Sequence, residues 1–324
     1  MRMSKDPKFG VILPHFSEDC TKERIIDTTL KAEQLGFDSV WVRDHVFVPP
    51  EHRHHGGIEE DKFTEPLLTL SALSSVTSSI TLGTAILIPI RNPIKLAQNL
   101  STLSYLSDDR VIAGMGIGRW KQEFEALNMP FDKRPQLIKE NYEVLNRLFQ
   151  ESDVEHEGEI FQFENVTINP QPETKIPLWY GGFSKIAMNR AVRIADGILP
   201  GRVPISEFEM KMDYLHDLEE EHDHELDVGL VPPFSVADSR EEAEAGFNIP
   251  SLVDEADSYM AGDYNTKEDI RGYYIAGDTE ECAAQIQEFV DSGLDHVILD
   301  MRHAFEDIEQ LMETTADSVI PLID

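Results

Sequence analysis

A histidine beside an aspartate, at the end of a predicted strand, is the pair in this sequence best suited to proton transfer. Asp44 and His45 follow the run Asp38–Val42, whose β-branched and aromatic residues favour a strand. An imidazole can donate or accept a proton near neutral pH, so His45 is a candidate general acid or base that Asp44 would orient. From these residues alone, the alternative is a partly buried histidine held by structural hydrogen bonds.

A run of four residues between a predicted strand and a predicted helix could hold an anion. Gly181, Gly182, Phe183 and Ser184 directly precede the helix that we expect to begin at Lys185. Glycines let a ligand approach the backbone closely, and the free N–H groups at a helix start attract phosphate. The alternative is an ordinary turn in which glycine supplies a positive φ.

A second glycine-rich run fails as a dinucleotide-binding fingerprint. The G-x-G-x-x-G pattern that starts at Gly114 has Arg119 where the third glycine should stand. We expect Gly116, Ile117 and Gly118 instead to allow close packing under a flat ring.

Neither the cysteines nor the histidines are spaced like metal ligands. Cys20 and Cys282 lie far apart in the sequence, which suits a reducing compartment. The histidine-rich stretch Glu51–Gly57 matches no ordinary zinc spacing and contains loop-forming residues. We therefore expect a solvated loop there and no bound metal.

Short β-rich runs alternate with longer helical runs along the chain, so the candidate residues belong to a repeated pattern. The predicted strands are Phe9–Leu13, Asp38–Val42, Ile80–Leu87, Arg110–Met115, Pro177–Tyr180, Gly197–Pro200, Asp227–Val236 and His296–Met301. Strands that are each followed by a helix predict a parallel sheet, and eight such units close into a (β/α)8 TIM barrel. An open doubly wound sheet is the alternative.

We expect one α/β domain that spans residues 1–324. A hairpin at Glu159–Ile168 lies outside the repeat, and Gly246–Gly277 is a predicted insertion that could form a lid. Because active sites of such barrels lie at the carboxyl ends of the strands, His15 and the run Thr84-Ala85-Ile86 join the candidate site.

The charge of the chain excludes several partners. There are 28 basic and 61 acidic residues, which gives a net charge of −33 and an isoelectric point near 4.5. Nucleic acids and anionic membranes would be repelled, and a small-molecule substrate is expected. The acids are spread along the chain, as in proteins of salt-loving organisms, although an acidic mesophilic protein is the alternative. The polar start, Met1 to Lys8, and the lack of a long apolar run predict a cytoplasmic protein.

Taken together, several stretches resemble the luciferase-like monooxygenase family, the bacterial luciferase superfamily. The matching stretches run in order over about 190 residues: 32–41, Asp44-His45, 65–70, 80–84, 91–93, 116–118, Glu123-Phe124, Gly181-Gly182 and 195–197. The last third matches only through its order of strands and helices.

This resemblance implies a barrel that binds FMN or the deazaflavin coenzyme F420 at the strand ends. The phosphate site of the family falls on Gly181-Gly182 and the residues after them. Its cofactor ring stacks on a bulge that would lie at Ala85-Ile86, often with a non-proline cis peptide. The family often forms dimers through barrel helices, so a homodimer is implied as well.

The pair Asp44-His45 resembles the deazaflavin branch, since FMN-using members more often have Glu-His at this place. The resulting prediction is an oxidoreductase of a halophilic archaeon that moves a hydride between F420 and a small organic substrate. One alternative is an FMN monooxygenase supplied by a partner flavin reductase. Another is a non-catalytic flavin-binding relative.

One residue departs from the sugar-phosphate dehydrogenases of the deazaflavin branch. They have a general-acid glutamate directly after the Gly-x-Gly turn, where this chain has Arg119. The difference argues against glucose 6-phosphate as substrate. Arg119 suits an anionic substrate or the phosphate chain of the coenzyme, and pairing with a nearby carboxylate is the alternative.

Overall fold

The computed structural model describes residues 6–50, 62–260 and 262–324, and the predicted loop Glu51–Gly57 lies outside them. The strands of these residues are β1 (Lys8–Ile12), β2 (Ser39–Val42), β3 (Thr81–Leu87), β4 (Val111–Gly116), β5 (Val154–Glu157), β6 (Gln162–Val166), β7 (Leu178–Gly181), β8 (Gly197–Leu199), β9 (Asp227–Leu230), β10 (Phe234–Val236), β11 (Ile275–Gly277) and β12 (His296–Leu299). The α-helices are α1 (Lys22–Leu35), α2 (Pro66–Ser74), α3 (Pro93–Leu106), α4 (Lys121–Ala126), α5 (Arg134–Leu148), α6 (Lys185–Ile194), α7 (Ile205–His222), α8 (Arg240–Glu244), α9 (Ile249–Tyr259), α10 (Thr279–Asp291) and α11 (Ile308–Thr314). None of the helices in the described ranges has the length and apolar composition needed to cross a membrane.

Eight parallel strands close into a barrel, which confirms the predicted (β/α)8 fold. Around the barrel the order is β1, β12, β9, β8, β7, β4, β3 and β2. Each neighbouring pair is parallel, and a helical connection carries the chain back between successive barrel strands. All eight strands therefore end on the same rim.

The predicted strand Asp227–Val236 is wrong as a single element. The barrel strand β9 ends at Leu230, and β10 pairs with β11 in a separate two-stranded sheet. Pro232 and Pro233 lie between the two strands and have no N–H group to donate, which explains the break.

Other predicted boundaries also differ from the structure. The hairpin predicted at Glu159–Ile168 begins earlier, because its first strand is β5, and the segment before α5 contains the short helix α4. The region Gly246–Gly277 contains the regular helix α9 and the strand β11. Its description as an insertion stays a prediction.

A buried histidine lies inside the barrel, towards the amino ends of the strands. His296 is 2% exposed and contacts Trp41 and Trp179 edge-on, at ring-centroid distances of 5.5 and 5.6 Å. Its Nε2 lies 2.7 Å from the hydroxyl oxygen of Ser39, which also accepts a hydrogen bond from the indole N–H of Trp41. Burial, with a smaller contribution from the charge of Lys8, lowers the pKa of His296 to about 3.

We predict that His296 makes the barrel less stable in acid. The unfolded imidazole takes up a proton near its ordinary pKa of 6.5, whereas the pKa of folded His296 is about 3, so stability is lost as pH falls between these values. The stability difference between wild type and His296→Gln should shrink by about 1.4 kcal/mol per pH unit below pH 6. Urea unfolding between pH 7 and 4.5 measures it, with His222→Gln as a matched control. A difference that is constant with pH would contradict the prediction.

Candidate active site

A cavity of about 620 Å³ opens at the carboxyl ends of the barrel strands. Most of the predicted site residues line it: Asp44, His45, Ala85, Ile86, Ile117, Gly118, Arg119, Gly181, Gly182, Phe183 and Ser184. Such a volume suits a small-molecule site. No three His, Cys, Asp or Glu side chains in the described part of the chain come together as potential metal ligands.

Three predicted residues are not among those that line the cavity. Thr84 is buried, and its hydroxyl donates a hydrogen bond of 2.9 Å to the carbonyl oxygen of Gly114. His15 is also buried, and its Nε2 accepts a hydrogen bond of 2.7 Å from the backbone N–H of Arg43. His15 therefore positions the chain that follows β2. Gly116 lies beneath Ile86, as described next.

The floor of the cavity is formed by a bulge in β3. The pairing register between β3 and β4 shifts between Thr84 and Leu87, and the Ala85–Ile86 peptide bond is cis, at the position implied by the family resemblance. A Cβ on Gly116 would lie 2.0 Å from Cδ1 of Ile86, and one on Gly181 would lie 2.4 Å from the same atom. Gly116 was predicted to allow close packing under a flat ring, and in the structure Ile86 lies directly over it.

We predict a strong coupling between Gly116 and Ile86. Gly116 does not have a left-handed φ, so Gly116→Ala should cost about 1–3 kcal/mol through overpacking alone. In an Ile86→Ala background the clashing methyl group is gone, and the same substitution should cost less than about 1 kcal/mol. Denaturant unfolding of the four proteins gives the coupling energy. Equal costs of Gly116→Ala in both backgrounds would show that the contact does not constrain the floor.

One wall of the cavity is the glycine turn, which we define as Gly181 to Ser184. Gly182 has φ 131°, a conformation that favours glycine, so the turn does require this residue for its backbone. Ser184 is the N-cap of α6, and its hydroxyl oxygen accepts a hydrogen bond of 3.2 Å from the N–H of Ala187. Because the turn lines the cavity directly before α6, the free N–H groups of that helix start are close to any ligand there. The positive-φ turn and the anion cradle are thus compatible interpretations.

His45 is held by a carboxylate that the sequence analysis did not select for this role. Its Nδ1 lies 3.2 Å from Oε2 of Glu123. This carboxylate is fully buried, and its Oε1 accepts a hydrogen bond of 2.8 Å from the N–H of Val46. The ring of His45 stacks on Trp120, with centroids 4.0 Å apart. With Nδ1 so occupied, Nε2 is the nitrogen that remains for a ligand.

The carboxylate of Asp44 is held by residues other than His45. Its carboxylate accepts hydrogen bonds from the backbone N–H of Ile88, at 2.9 Å, and from both terminal nitrogens of Arg91, at 2.5 and 2.9 Å. Burial alone would lower the pKa of Arg91, but the contacts with Asp44 and Glu65 outweigh it and raise that pKa. Asp44 therefore ties the end of β2 to the segment after β3, and its place in the cavity lining leaves the predicted coenzyme contact open.

Cationic side chains surround the rest of the cavity. Those among the described lining residues are Arg43, Arg119, Arg202, Lys211 and Arg302. The guanidinium group of Arg302 donates hydrogen bonds to both carboxylate oxygens of Asp300. Burial would raise the pKa of Asp300, but the positive charges of Arg302 and the neighbouring arginines outweigh it, so the pKa of that carboxyl is lowered. Arg202 bonds Glu255 of α9 at 2.6 Å.

Comparisons with known proteins agree with this architecture. The family model described as luciferase-like monooxygenase matches residues 8–296. A protein of Amycolatopsis mediterranei named F420-dependent glucose-6-phosphate dehydrogenase is 24% identical over 331 residues, which cover 92% of this chain and 93% of the relative.

Two solved structures share the whole fold. An F420-dependent secondary alcohol dehydrogenase in complex with an F420–acetone adduct is 19% identical and has a TM-score of 0.80, over 99% of this chain and 100% of that chain. The oxygenating constituent of 3,6-diketocamphane monooxygenase from Pseudomonas putida, in complex with FMN, is 16% identical and has a TM-score of 0.75, over 99% of each chain.

Proposed function

Because this chain belongs to the luciferase-like monooxygenase family, we propose that it is an oxidoreductase that transfers a hydride between coenzyme F420 and a small organic substrate. The observation that carries the proposal is the position of His45, which lines the same cavity as the bulge at Ala85–Ile86 and the glycine turn. The F420-dependent names of relatives along most of the chain support this coenzyme.

The residues present fit a flat coenzyme with a phosphate. The bulge offers the apolar side chains of Ala85 and Ile86 to a ring, and the glycine turn offers backbone N–H groups to the phosphate. Lys211 lines the same wall, with its ammonium nitrogen 5.5 Å from the ring of Phe183. Bound there, F420 would supply the carbon that accepts or returns a hydride.

His45 would move the proton that accompanies the hydride. In the neutral imidazole, an N–H at Nδ1 that donates to Glu123 leaves the lone pair on Nε2, which can then accept a proton from a substrate hydroxyl. Glu123 stabilises the imidazolium that results. Trp120 holds the ring in one orientation by stacking. Glu123 and Trp120 are thus positioning residues in this proposal.

We predict that the coenzyme and proton-transfer parts of the site can be separated by substitution. His45→Ala should lower turnover by about 10²–10⁴-fold and leave the Kd for F420 within a few fold, because the imidazole moves a proton but does not hold the coenzyme. Glu123→Gln should lower turnover less. Full turnover in His45→Ala would remove this residue from the mechanism.

Coenzyme binding is measured by tryptophan fluorescence during titration with F420 and with FMN, in molar salt. Gly182→Ala should weaken binding of F420 about tenfold or more, since the glycine turn must change shape. Gly36→Ala is the matched control, because Gly36 also has a positive φ but lies at the end of α1, with no atom near an added Cβ. Preference for reduced FMN would favour a monooxygenase that needs a partner reductase. Binding of F420 without turnover of any substrate would favour a non-catalytic relative.

We also propose that the protein is adapted to high salt, as the excess of acidic residues indicates. The mutual repulsion of the acidic side chains, with a net charge of −33, destabilises the folded state. Salt screens this repulsion, because the Debye length falls to about 3 Å at 1 M. The melting temperature should therefore rise steeply between 0.1 and 2 M KCl, and more than for a near-neutral TIM barrel measured alongside. A melting temperature that is independent of salt would contradict this proposal.

A further inference from the structure

The cavity has the opposite charge from the chain as a whole. Within the described lining residues there are five lysine and arginine side chains but only two carboxylates, Asp44 and Asp300. In the whole sequence acidic residues outnumber basic ones by 61 to 28. A local excess of cations in so acidic a protein indicates that the cavity binds anions.

Most of these cations already have a carboxylate partner. The pairs are Arg202 with Glu255, Arg302 with Asp300, and Lys211 with Glu207. Burial would lower the pKa of Arg202, but Glu255 outweighs it and the pKa is raised. The positive charge of these three groups is therefore largely neutralised by the protein itself.

Arg119 differs from them. Among the described residues, no carboxylate lies within salt-bridge distance of its guanidinium, which instead lies over the ring of Tyr259, 3.9 Å from the centroid. A guanidinium that stacks on a ring keeps its N–H groups, which lie in its plane, available for a planar anion. Arg119 is also exposed in the cavity, where a ligand can reach it.

Arg119 lines the same cavity as the proton-transfer residue. It directly precedes Trp120, whose ring stacks on His45 at 4.0 Å. It is also close enough to Arg43, two residues before His45, for the two like charges to act on each other. An anion bound to Arg119 would therefore occupy the same cavity as the reacting atoms.

We propose that the substrate is a 2-hydroxy acid, or a 2-oxo acid in the reverse direction, whose carboxylate binds Arg119; this inference rests on the proposed function. In such a compound the carboxylate is attached to the carbon that reacts, so one small molecule would engage both Arg119 and His45. The hydroxyl proton passes to Nε2 of His45, and the hydrogen on C2 leaves as a hydride to F420. The C2–O single bond becomes a carbonyl, so the acid loses two electrons and the coenzyme gains them.

The test compares charged and neutral substrates of the same size. Oxidation of lactate and 2-hydroxybutyrate is measured with F420 beside 2-propanol, 2-butanol and glucose 6-phosphate. Arg119→Gln should lower kcat/KM for the hydroxy acids about 10- to 100-fold, the loss of one charge-assisted contact. It should leave the neutral alcohols and the Kd for F420 unchanged within a few fold. Arg147→Gln, on the outer helix α5, is the matched control.

Three results would overturn the proposal. They are turnover of neutral alcohols only, turnover of glucose 6-phosphate only, and an Arg119→Gln protein that loses F420 affinity while its preference for acids over alcohols persists. The last result would assign Arg119 to the coenzyme.

A binding measurement separates this proposal from the proposed function. Oxamate, a planar analogue of a 2-oxo acid, is titrated by calorimetry into the protein without coenzyme and into the Arg119→Gln variant. Binding that depends on Arg119 supports the carboxylate site even if F420 does not bind, in which case only the choice of coenzyme fails. Binding that is equal in both proteins, or absent from both, counts against the site.

Discussion

The close approach of Ile86 to the backbone of two neighbouring strands is the constraint on which the cavity depends. Its side chain occupies the space that a Cβ on Gly116 or Gly181 would need, so β3 packs here directly against the backbone of β4 and β7. The bulge that presents Ile86 also sets the floor for a ring, and Gly181 begins the turn that faces a phosphate. A change at any of these positions alters the floor and the wall together.

The parallel barrel and part of the cavity lining could be predicted from the sequence because both follow from local patterns. Each barrel strand is a short β-rich run, and the residue after it lies on the rim. Glu123 could not be assigned in this way. It lies 78 residues from His45 and on a short helix, in a stretch that has no clear period, so only the fold brings the two together.

The sequence does contain a signal that the predicted seventh strand is divided, but the β-rich composition of the run favoured a single strand. Two consecutive prolines after Leu230 cannot continue a ladder, and the chain uses this break to leave the barrel. It then forms β10, α8 and α9 before it returns through β11 and α10 to β12. The weak pattern of Gly246–Gly277 predicted an insertion within this excursion, but it did not predict the regular helix α9.

That excursion supplies part of the cavity, because α9 contacts two of the arginines on the rim. Glu255 pairs with Arg202, and the ring of Tyr259 lies against Arg119. A mostly buried ion pair is costly to separate unless another anion replaces the lost partner. The position of α9 and the charge of the ligand are therefore coupled. An anion that binds Arg202 must compete with Glu255 at salt-bridge distance, whereas Glu255 acts on Arg119 only from farther away. An incoming anion is therefore favoured at Arg119 rather than at Arg202.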